Sequence, residues 1–311
     1  MKILITGGAG FIGSHLADAL QADGHVVHVL DDLSSGDRSH VPSGVVFHHL
    51  DIRDAEVAAL WQRERYAVLV HHAAQIDVRR SATAPAHDAD VNIHGFLNVM
   101  EAGRSHGLQK VLFASTGGAL YGEPVYTPQD EAHPIHPLSP YGIAKHTAEQ
   151  YLHFYRRTYG IAFVALRYAN VYGPRQNAHG EAGVIATFVQ HALDGTTATI
   201  YGDGQQTRDY VYVGDVVDAN RCALKYPHSG IFNIGTGIET DVNRLHAEIA
   251  DLTDAHLPAH RAPKRQGEQR RSVLSYEQAT QALDWTPKMS LRDGLRATVA
   301  WYAASLTEET V

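Results

Sequence analysis

The sequence predicts an α/β protein: a doubly wound parallel sheet with a smaller C-terminal lobe. Three observations carry that expectation. Short runs rich in apolar and β-branched residues alternate with longer stretches of helical spacing through the first half of the chain. A glycine cluster, "TGGAGFIG" (6–13), joins the first run to the first helical stretch. After about residue 169 the alternation loosens into loop-rich segments. Strand–helix alternation of this kind places helices on both faces of a parallel sheet.

The expected strands are "KILIT" (2–6), "VVHVLD" (26–31), "VVFHHLD" (45–51), "AVLVHHAA" (67–74), "KVLFAS" (110–115) and "IAFVALRY" (161–168). The best-marked helix spans about 139–159, where Ser139 can cap, Pro140 suits the first turn and Gly160 follows the last residue. "GPRQNAHGEAG" (173–183) and "YGDGQQTRDY" (201–210) link shorter elements. The predicted organisation is a first domain of residues 1–169, with a returning segment at about 210–228, and a second lobe made of 170–209 and 229–311. There are no internal repeats, and "LTEETV" reads as a tail.

With 311 residues the chain can bury a large core. A hydrophobic content of 44% and a charged content of 19% are ordinary for a globular protein. The net charge of -8 argues against nucleic acid or an anionic membrane as the main partner. Cys222 is the single cysteine, so no disulfide can form within the chain, which suits a cytoplasmic setting. Glycines interrupt the start, "MKILITGGAGFIG", so no secretory signal is expected, and no apolar run is long enough to span a membrane. The 21 histidines are scattered, with pairs at His48–His49 and His71–His72, and form no metal-binding pattern.

The glycine cluster has the chemistry of a dinucleotide turn. Gly7 allows the tight turn, Gly10 lets the backbone approach a pyrophosphate, and Gly13 permits close helix–sheet packing. The helix that follows offers its N-terminus to the phosphates. No Lys-Ser/Thr follows the glycines, so a P-loop is disfavoured. The second strand ends in Asp31-Asp32, 18 and 19 residues after Gly13, where a carboxylate can receive a ribose 2′-hydroxyl. A carboxylate there repels a 2′-phosphate and favours NAD over NADP. Asp31 is the first choice for this role, with Asp32 either assisting or facing solvent. Asp51, ending the third strand, reaches the adenine or caps the next helix.

A second constellation lies in "SPYGIAK", where Tyr141 and Lys145 share one helix face at i and i+4. A tyrosine ordinarily titrates near ~10. An adjacent ammonium, the helix N-terminus and a positive nicotinamide ring all favour its phenolate form. Upstream, "VLFASTGGALYGE" (111–123) sets two hydroxyls, Ser115 and Thr116, at a strand end, followed by Gly117 and Gly118.

On these segments, together with "VLDDLS", "HHAAQ", "VNIHG", "LRYANVYGPRQ", "TRDYVYVGDV", "NIGTG" and "KRQGE", the chain resembles the extended short-chain dehydrogenase/reductases and, within them, the UDP-glucose 4-epimerases. The resemblance implies a Rossmann-type fold, bound NAD, a UDP-sugar substrate and a homodimer paired through two helices. It implies that Tyr141 takes the proton from the sugar 4-hydroxyl while a hydride leaves C4, and that Lys145 also holds the nicotinamide ribose. The 4-keto sugar then turns and the hydride returns to its other face. The resemblance adds Phe11, Ile12, Ile52, Ala73, Ala74, Asn92 and Tyr168 to the cofactor side. To the substrate side it assigns Asn170, Val184, Arg208, Arg265 and Glu268, with Tyr201 stacking on uracil. Without it, an arginine in a surface salt bridge and a core tyrosine are the ordinary readings of such residues.

One departure concerns the hydroxyl. In many relatives it lies four residues before the tyrosine of the "YG" pair, and here that position is Gly117. Thr116 is the nearest substitute, with Ser115 facing the nicotinamide or taking the role itself, and water as a further option. The glycines are expected to leave space beside the sugar and to omit the acid that sister dehydratases place after the hydroxyl. A UDP-glucuronate 4-epimerase or decarboxylase would need a partner for the C5 carboxylate, with His179, Arg175 and Arg79 as candidates. Ser272 falls where the family tunes pocket size, and a small residue there implies room for an N-acetyl group. A silent NAD-binding sensor would have no need of Tyr141 and Lys145.

Overall fold

The computed structural model describes residues 1–178, 183–254, 259–264 and 269–308. The chain begins β1 (Lys2–Thr6), α1 (Phe11–Ala22), β2 (Val26–Asp31), β3 (Val46–His49), α2 (Glu56–Glu64) and β4 (Val68–His71). It continues through α3 (Val78–Thr83), α4 (Pro85–Ala89), a π-helical turn (Asp90–Gly95), α5 (Phe96–Ser105), β5 (Lys110–Thr116), α6 (Pro140–Tyr159), β6 (Ala162–Tyr168) and β7 (Asn170–Tyr172). Next come α7 (Val184–Asp194), β8 (Ala198–Tyr201), β9 (Thr207–Tyr212), α8 (Val213–Lys225), β10 (Gly230–Ile234) and β11 (Glu239–Asp241). The last elements are α9 (Val242–Thr253), β12 (Ala259–Ala262), α10 (Glu277–Leu283) and α11 (Leu291–Glu308).

The main sheet has seven strands in the order β10-β6-β5-β4-β1-β2-β3, and every neighbouring pair is parallel. Its strands are near-continuous apolar runs because both faces are covered. Ile3 and Ile5 join one core with α1 and α8, while Leu4, Leu69 and Val111 join another with α2 and α5. The strand order reverses at β1, which pairs β2 on one side and β4 on the other. A ligand crevice forms at such a switch point, outside the carboxyl ends of the strands.

The longest helix, α6, starts and stops on chemical signals. The Ser139 hydroxyl accepts from the Gly142 N–H at 3.2 Å, Pro140 opens the first turn, and Gly160 closes it in the left-handed region at φ 73°.

A second core, with Ile185, Phe188, Ile200, Leu245 and Leu295, gathers α7, β8, α9 and α11. The three-stranded sheet β11-β9-β7 and the pair β12-β8 belong to this half of the chain. The boundary differs from the expected one. β10 pairs with β6 as the edge of the main sheet, and Ala279, Leu283 and Trp285 pack into the first core. Residues 230–234 and 277–285 therefore sit with the seven-stranded half, because Phe232 and Ile234 find their apolar partners there.

Candidate active site

Five strand ends converge on the crevice. After β1, Gly7 turns at φ 70°, and a Cβ there would sit 2.6 Å from the Ala73 nitrogen. A Cβ on Gly13 would strike the Gly7 carbonyl, so the helix rides directly on the turn. At Gly10 an added Cβ would meet only the Gly7 carbonyl oxygen, at 3.2 Å, leaving its outer side open. Gly10 caps α1 without a side chain, so the first-turn N–H groups at Phe11, Ile12 and Gly13 face the place where a phosphate would lie. This cradle fits a dinucleotide.

Asp31 is 7% exposed, and its carboxylate accepts from the Ala9 and Leu33 N–H groups, each at 2.9 Å. It binds the glycine turn to the end of β2. Burial pushes its acidity down despite those bonds. Asp32 takes the solvent-facing alternative, accepting from the Ser34 N–H and hydroxyl. Asp51 caps its own turn by accepting from Arg53 N–H at 2.8 Å, and it is gripped by the Arg53 guanidinium. Ile52 is buried against Gly95 of the π-helical turn.

Beyond β4, Asn92 is spent on the backbone. Its side chain accepts from the Gln75 N–H and donates to the Gln75 carbonyl, both at 2.9 Å, shaping the loop that holds Ala73 and Ala74. Tyr168 is likewise committed. Its hydroxyl accepts from the Asn220 amide at 2.8 Å and lies 3.2 Å from His72 Nε2. Both side chains are engaged by protein neighbours.

At the end of β5 the two hydroxyls part company. Successive strand residues face opposite ways. Ser115 stands in register with Arg167 and Thr116 with Tyr168. The Ser115 hydroxyl donates to Glu149 at 2.6 Å in a buried site. Glu149 receives Arg167 at 3.0 and 2.7 Å, and Arg167 in turn donates to the Tyr121 hydroxyl, which donates to Asn233. Ser115 therefore belongs to a buried brace linking β5, α6, β6 and β10, and its hydroxyl is committed to Glu149. The Thr116 hydroxyl, half-buried, accepts from the Ala119 N–H at 3.1 Å.

The glycines after it divide in the same way. A Cβ on Gly117 would collide with the Leu274 side chain, so this glycine serves core packing and leaves no space beside a sugar. A Cβ on Gly118 would find only Asn170 Oδ1 at 3.6 Å and Thr116 Oγ1 at 4.0 Å. Gly118, Thr116 and Asn170 thus border one opening.

Tyr141 and Lys145 lie on the first turns of α6. Gly142 lets the helix close on the Ala119 carbonyl, on the same turn whose N–H engages Thr116. Lys145 is 4% exposed; its Nζ donates to the Ala114 carbonyl at 2.9 Å and lies 5.8 Å from the centre of the Tyr141 ring. Burial draws its ammonium down to about 8, opposed by the charges of Asp88 and Glu149. Tyr141 departs from expectation: burial, and then the Asp88 charge, push its hydroxyl above the ordinary range. Without a cofactor, the protein holds Tyr141 firmly protonated.

In the second half of the chain, Arg208 lies on β9 with its guanidinium on the Thr207 carbonyl at 2.7 Å. Tyr201 ends β8, half-buried. Val184 opens α7, whose cap, Gly183, supplies no side-chain bond. Arg265, Glu268 and His179 lie outside the described residues. Arg175 pairs with Asp18 of α1 at 2.6 Å, which removes it as a partner for a sugar carboxylate. Ser272 is buried in the segment whose neighbours bond to Gly122, Glu123 and Thr207. No helix among the described residues is long and apolar enough to cross a membrane.

Sequence reasoning missed Glu149, Arg167 and Asp88. The i, i+4 spacing of Glu149 from Lys145 was the available signal.

A glycine turn at the sheet's switch point and a Tyr–Lys pair on the facing helix define a dinucleotide-dependent site built for proton and hydride movement at a carbinol carbon. Residues 3–235 match the NAD dependent epimerase/dehydratase family, and the chain belongs to that family. It is 44% identical to the UDP-glucose 4-epimerase of Mycolicibacterium smegmatis over 308 residues, covering 97% of this chain and 98% of that one. The crystal structure of the Thermotoga maritima UDP-glucose 4-epimerase with UDP-glucose is similar at a TM-score of 0.97 and 45% identity, over 98% of this chain and 100% of that one. The Thermus thermophilus UDP-glucose 4-epimerase in complex with NAD follows at 0.93 and 43%, with the same coverage.

Proposed function

We propose that this protein is an NAD-dependent isomerase that inverts C4 of a UDP-hexose, interconverting UDP-glucose and UDP-galactose through a 4-keto sugar. The observation that carries the reading is that Tyr141 and Lys145 open α6 where Gly142 packs on the Ala119 carbonyl, on the turn whose N–H engages Thr116. Two UDP-glucose 4-epimerases more than 40% identical over nearly the whole chain support it.

The glycine turn, Asp31 and the 73–74 loop would hold the dinucleotide, and bound NAD+ supplies the hydride acceptor and donor at C4. Tyr141 acts at the sugar 4-hydroxyl, accepting its proton and later returning it to the 4-oxygen once the sugar has turned. A phenol held protonated by burial needs a cation beside it to do so. Lys145 is the resident one. Thr116 bonds the 4-oxygen and steers the proton, and Gly118 leaves room next to it. Asn170 and Arg208, with Arg265, contact the diphosphate, and Tyr201 stacks on the uracil.

The return of hydride to either face requires the keto sugar to turn in place, and no acid at 117 or 118 diverts it to loss of water. Buried Ser272 gives the pocket the width for a 2-acetamido group. A homodimer, paired through exposed Ile143, Tyr151 and Phe154 along α6, and a cytoplasmic setting complete the reading.

The test is to incubate the purified protein with UDP-glucose, UDP-GlcNAc and UDP-GlcA and to separate the products. Conversion of UDP-glucose to UDP-galactose is expected. Protein that carries NAD and converts none of the three would overturn the reading in favour of a sensor.

A further inference from the structure

Lys145 presents a problem of charge. Its ammonium is enclosed, donates to the Ala114 carbonyl, and otherwise lies over the Phe113 and Tyr141 rings at 4.9 and 5.8 Å. A buried cation is costly unless an opposite charge faces it. Among the described residues two carboxylates act on it, Asp88 and Glu149. Glu149 is already neutralised by the two-pronged grip of Arg167 and by Ser115.

Asp88 is not. It lies on α4, which packs against α6, and is 1% exposed. Its Oδ1 accepts from two neutral amides, Gln75 Nε2 at 2.9 Å and Asn92 Nδ2 at 3.0 Å. Its Oδ2 is equally buried and has no hydrogen-bond partner among the described residues. A carboxylate held by neutral donors keeps its whole charge, and an unpartnered oxygen in a dry site must be balanced by something nearby.

We propose that Asp88 is the counter-charge of Lys145, a positioning residue that keeps the ammonium charged beside the Tyr141 hydroxyl. The proposal rests on the reading of Lys145 as the resident cation of the epimerase site. The other ionisable groups around the pair do not supply this charge. His71 and His72, at the end of β4, are held neutral by burial and by Lys145 itself. His87 stands on the Asp88 helix and Tyr141 on the Lys145 helix, and neither is anionic at neutral pH. The Asp88 charge also opposes ionisation of Tyr141, but burial is the larger cause there. Lys145, drawn close to neutrality, has more to lose.

The experiment is a pH titration of 13C-labelled lysine side chains by NMR on the NAD-loaded protein. The set is small (Lys2, Lys110, Lys145, Lys225, Lys264 and Lys288), and Lys145→Met assigns the signal. Asp88→Asn is expected to lower the Lys145 midpoint by about one pH unit or more, a tenfold shift, and Asp88→Glu to restore most of it. The alkaline limb of kcat moves with it while KM for the UDP-sugar stays within about twofold. A midpoint unmoved by Asp88→Asn, or moved as far by Asp88→Glu, overturns the proposal. If Asp88→Asn does not fold, the wild-type protein decides. A Lys145 midpoint at or above neutrality supports the counter-charge, and one below neutrality refutes it. Because the titration needs no turnover, it stays informative even if the protein proves not to be an epimerase.

Discussion

Replacing Ser115 and Thr116 one at a time separates a structural hydroxyl from a chemical one. Ser115→Ala removes a 2.6 Å bond to a buried carboxylate and touches nothing at the opening. Hydrogen bonds to charged groups contribute about 1.5–3 kcal/mol. In a chain of 311 residues each kcal/mol moves the melting temperature by roughly 2 °C, so a loss of roughly 3–6 °C is expected. Turnover should stay within about threefold, since Arg167 continues to hold Glu149.

Thr116→Val removes an acceptor from the Ala119 N–H, worth about 1 kcal/mol, and removes the hydroxyl proposed to bond the sugar 4-oxygen. General acid–base assistance contributes about 10²–10⁴ in rate, so turnover should fall at least ~10²-fold while melting changes by only ~2 °C. The assay pairs thermal melting of the NAD-loaded proteins with a coupled measurement of UDP-galactose conversion. The reverse pattern would refute this division of labour: Ser115→Ala losing turnover without losing stability, and Thr116→Val remaining active.

Three further outcomes are expected. Burial opposes the charge of Glu149, but Arg167 outweighs it and holds the carboxyl at about 2, below its ordinary 4.5. Its stabilisation is complete above about 4.5 and drains as the pH falls toward 2, so Glu149→Gln should be less stable overall yet show a shallower loss in urea melts across that window. Phe154 is 47% exposed on the same face of α6 as Ile143 and Tyr151, and Phe154→Glu should convert the proposed dimer into a monomer by sedimentation; an unchanged mass would refute pairing through this face. Ser272→Tyr should depress conversion of UDP-GlcNAc by ~10-fold or more relative to UDP-glucose, and an unchanged ratio of kcat/KM for the two sugars would free this position from a role in selectivity.

Much of the frame is readable from residues because its signals are local. β1, β4 and β5 are buried on both faces, and such strands are written as unbroken apolar runs. The α6 helix carries its own start and stop in Ser139, Pro140 and Gly160. The glycine turn is legible because only glycine tolerates a backbone packed as closely as Gly13 on Gly7. What escaped depends on partners distant in sequence. Ser115 and Glu149 are 34 residues apart, and Arg167 lies 18 beyond Glu149. Charged residues read as surface until their counter-ions are found. The two-residue period of a strand did hold one clue: adjacent hydroxyls on β5 cannot face the same way. β10 escaped because "GIFNI" is short and its place beside β6 is set by sheet pairing across more than sixty residues.

The brace behind β5 has a consequence for how such a site can change. Ser115, Glu149, Arg167, Tyr121 and Asn233 hold the strand end from behind, without using residue 118. Gly117 is locked by Leu274, whereas among the described residues the space above Gly118 is bounded by Asn170 and Thr116. The scaffold therefore leaves one position next to Thr116 and Asn170 open to a side chain while its neighbour at 117 is constrained. An acid arriving at 118 would enter the proposed sugar pocket without striking the protein core, so a new reaction could be tried there at little cost to folding.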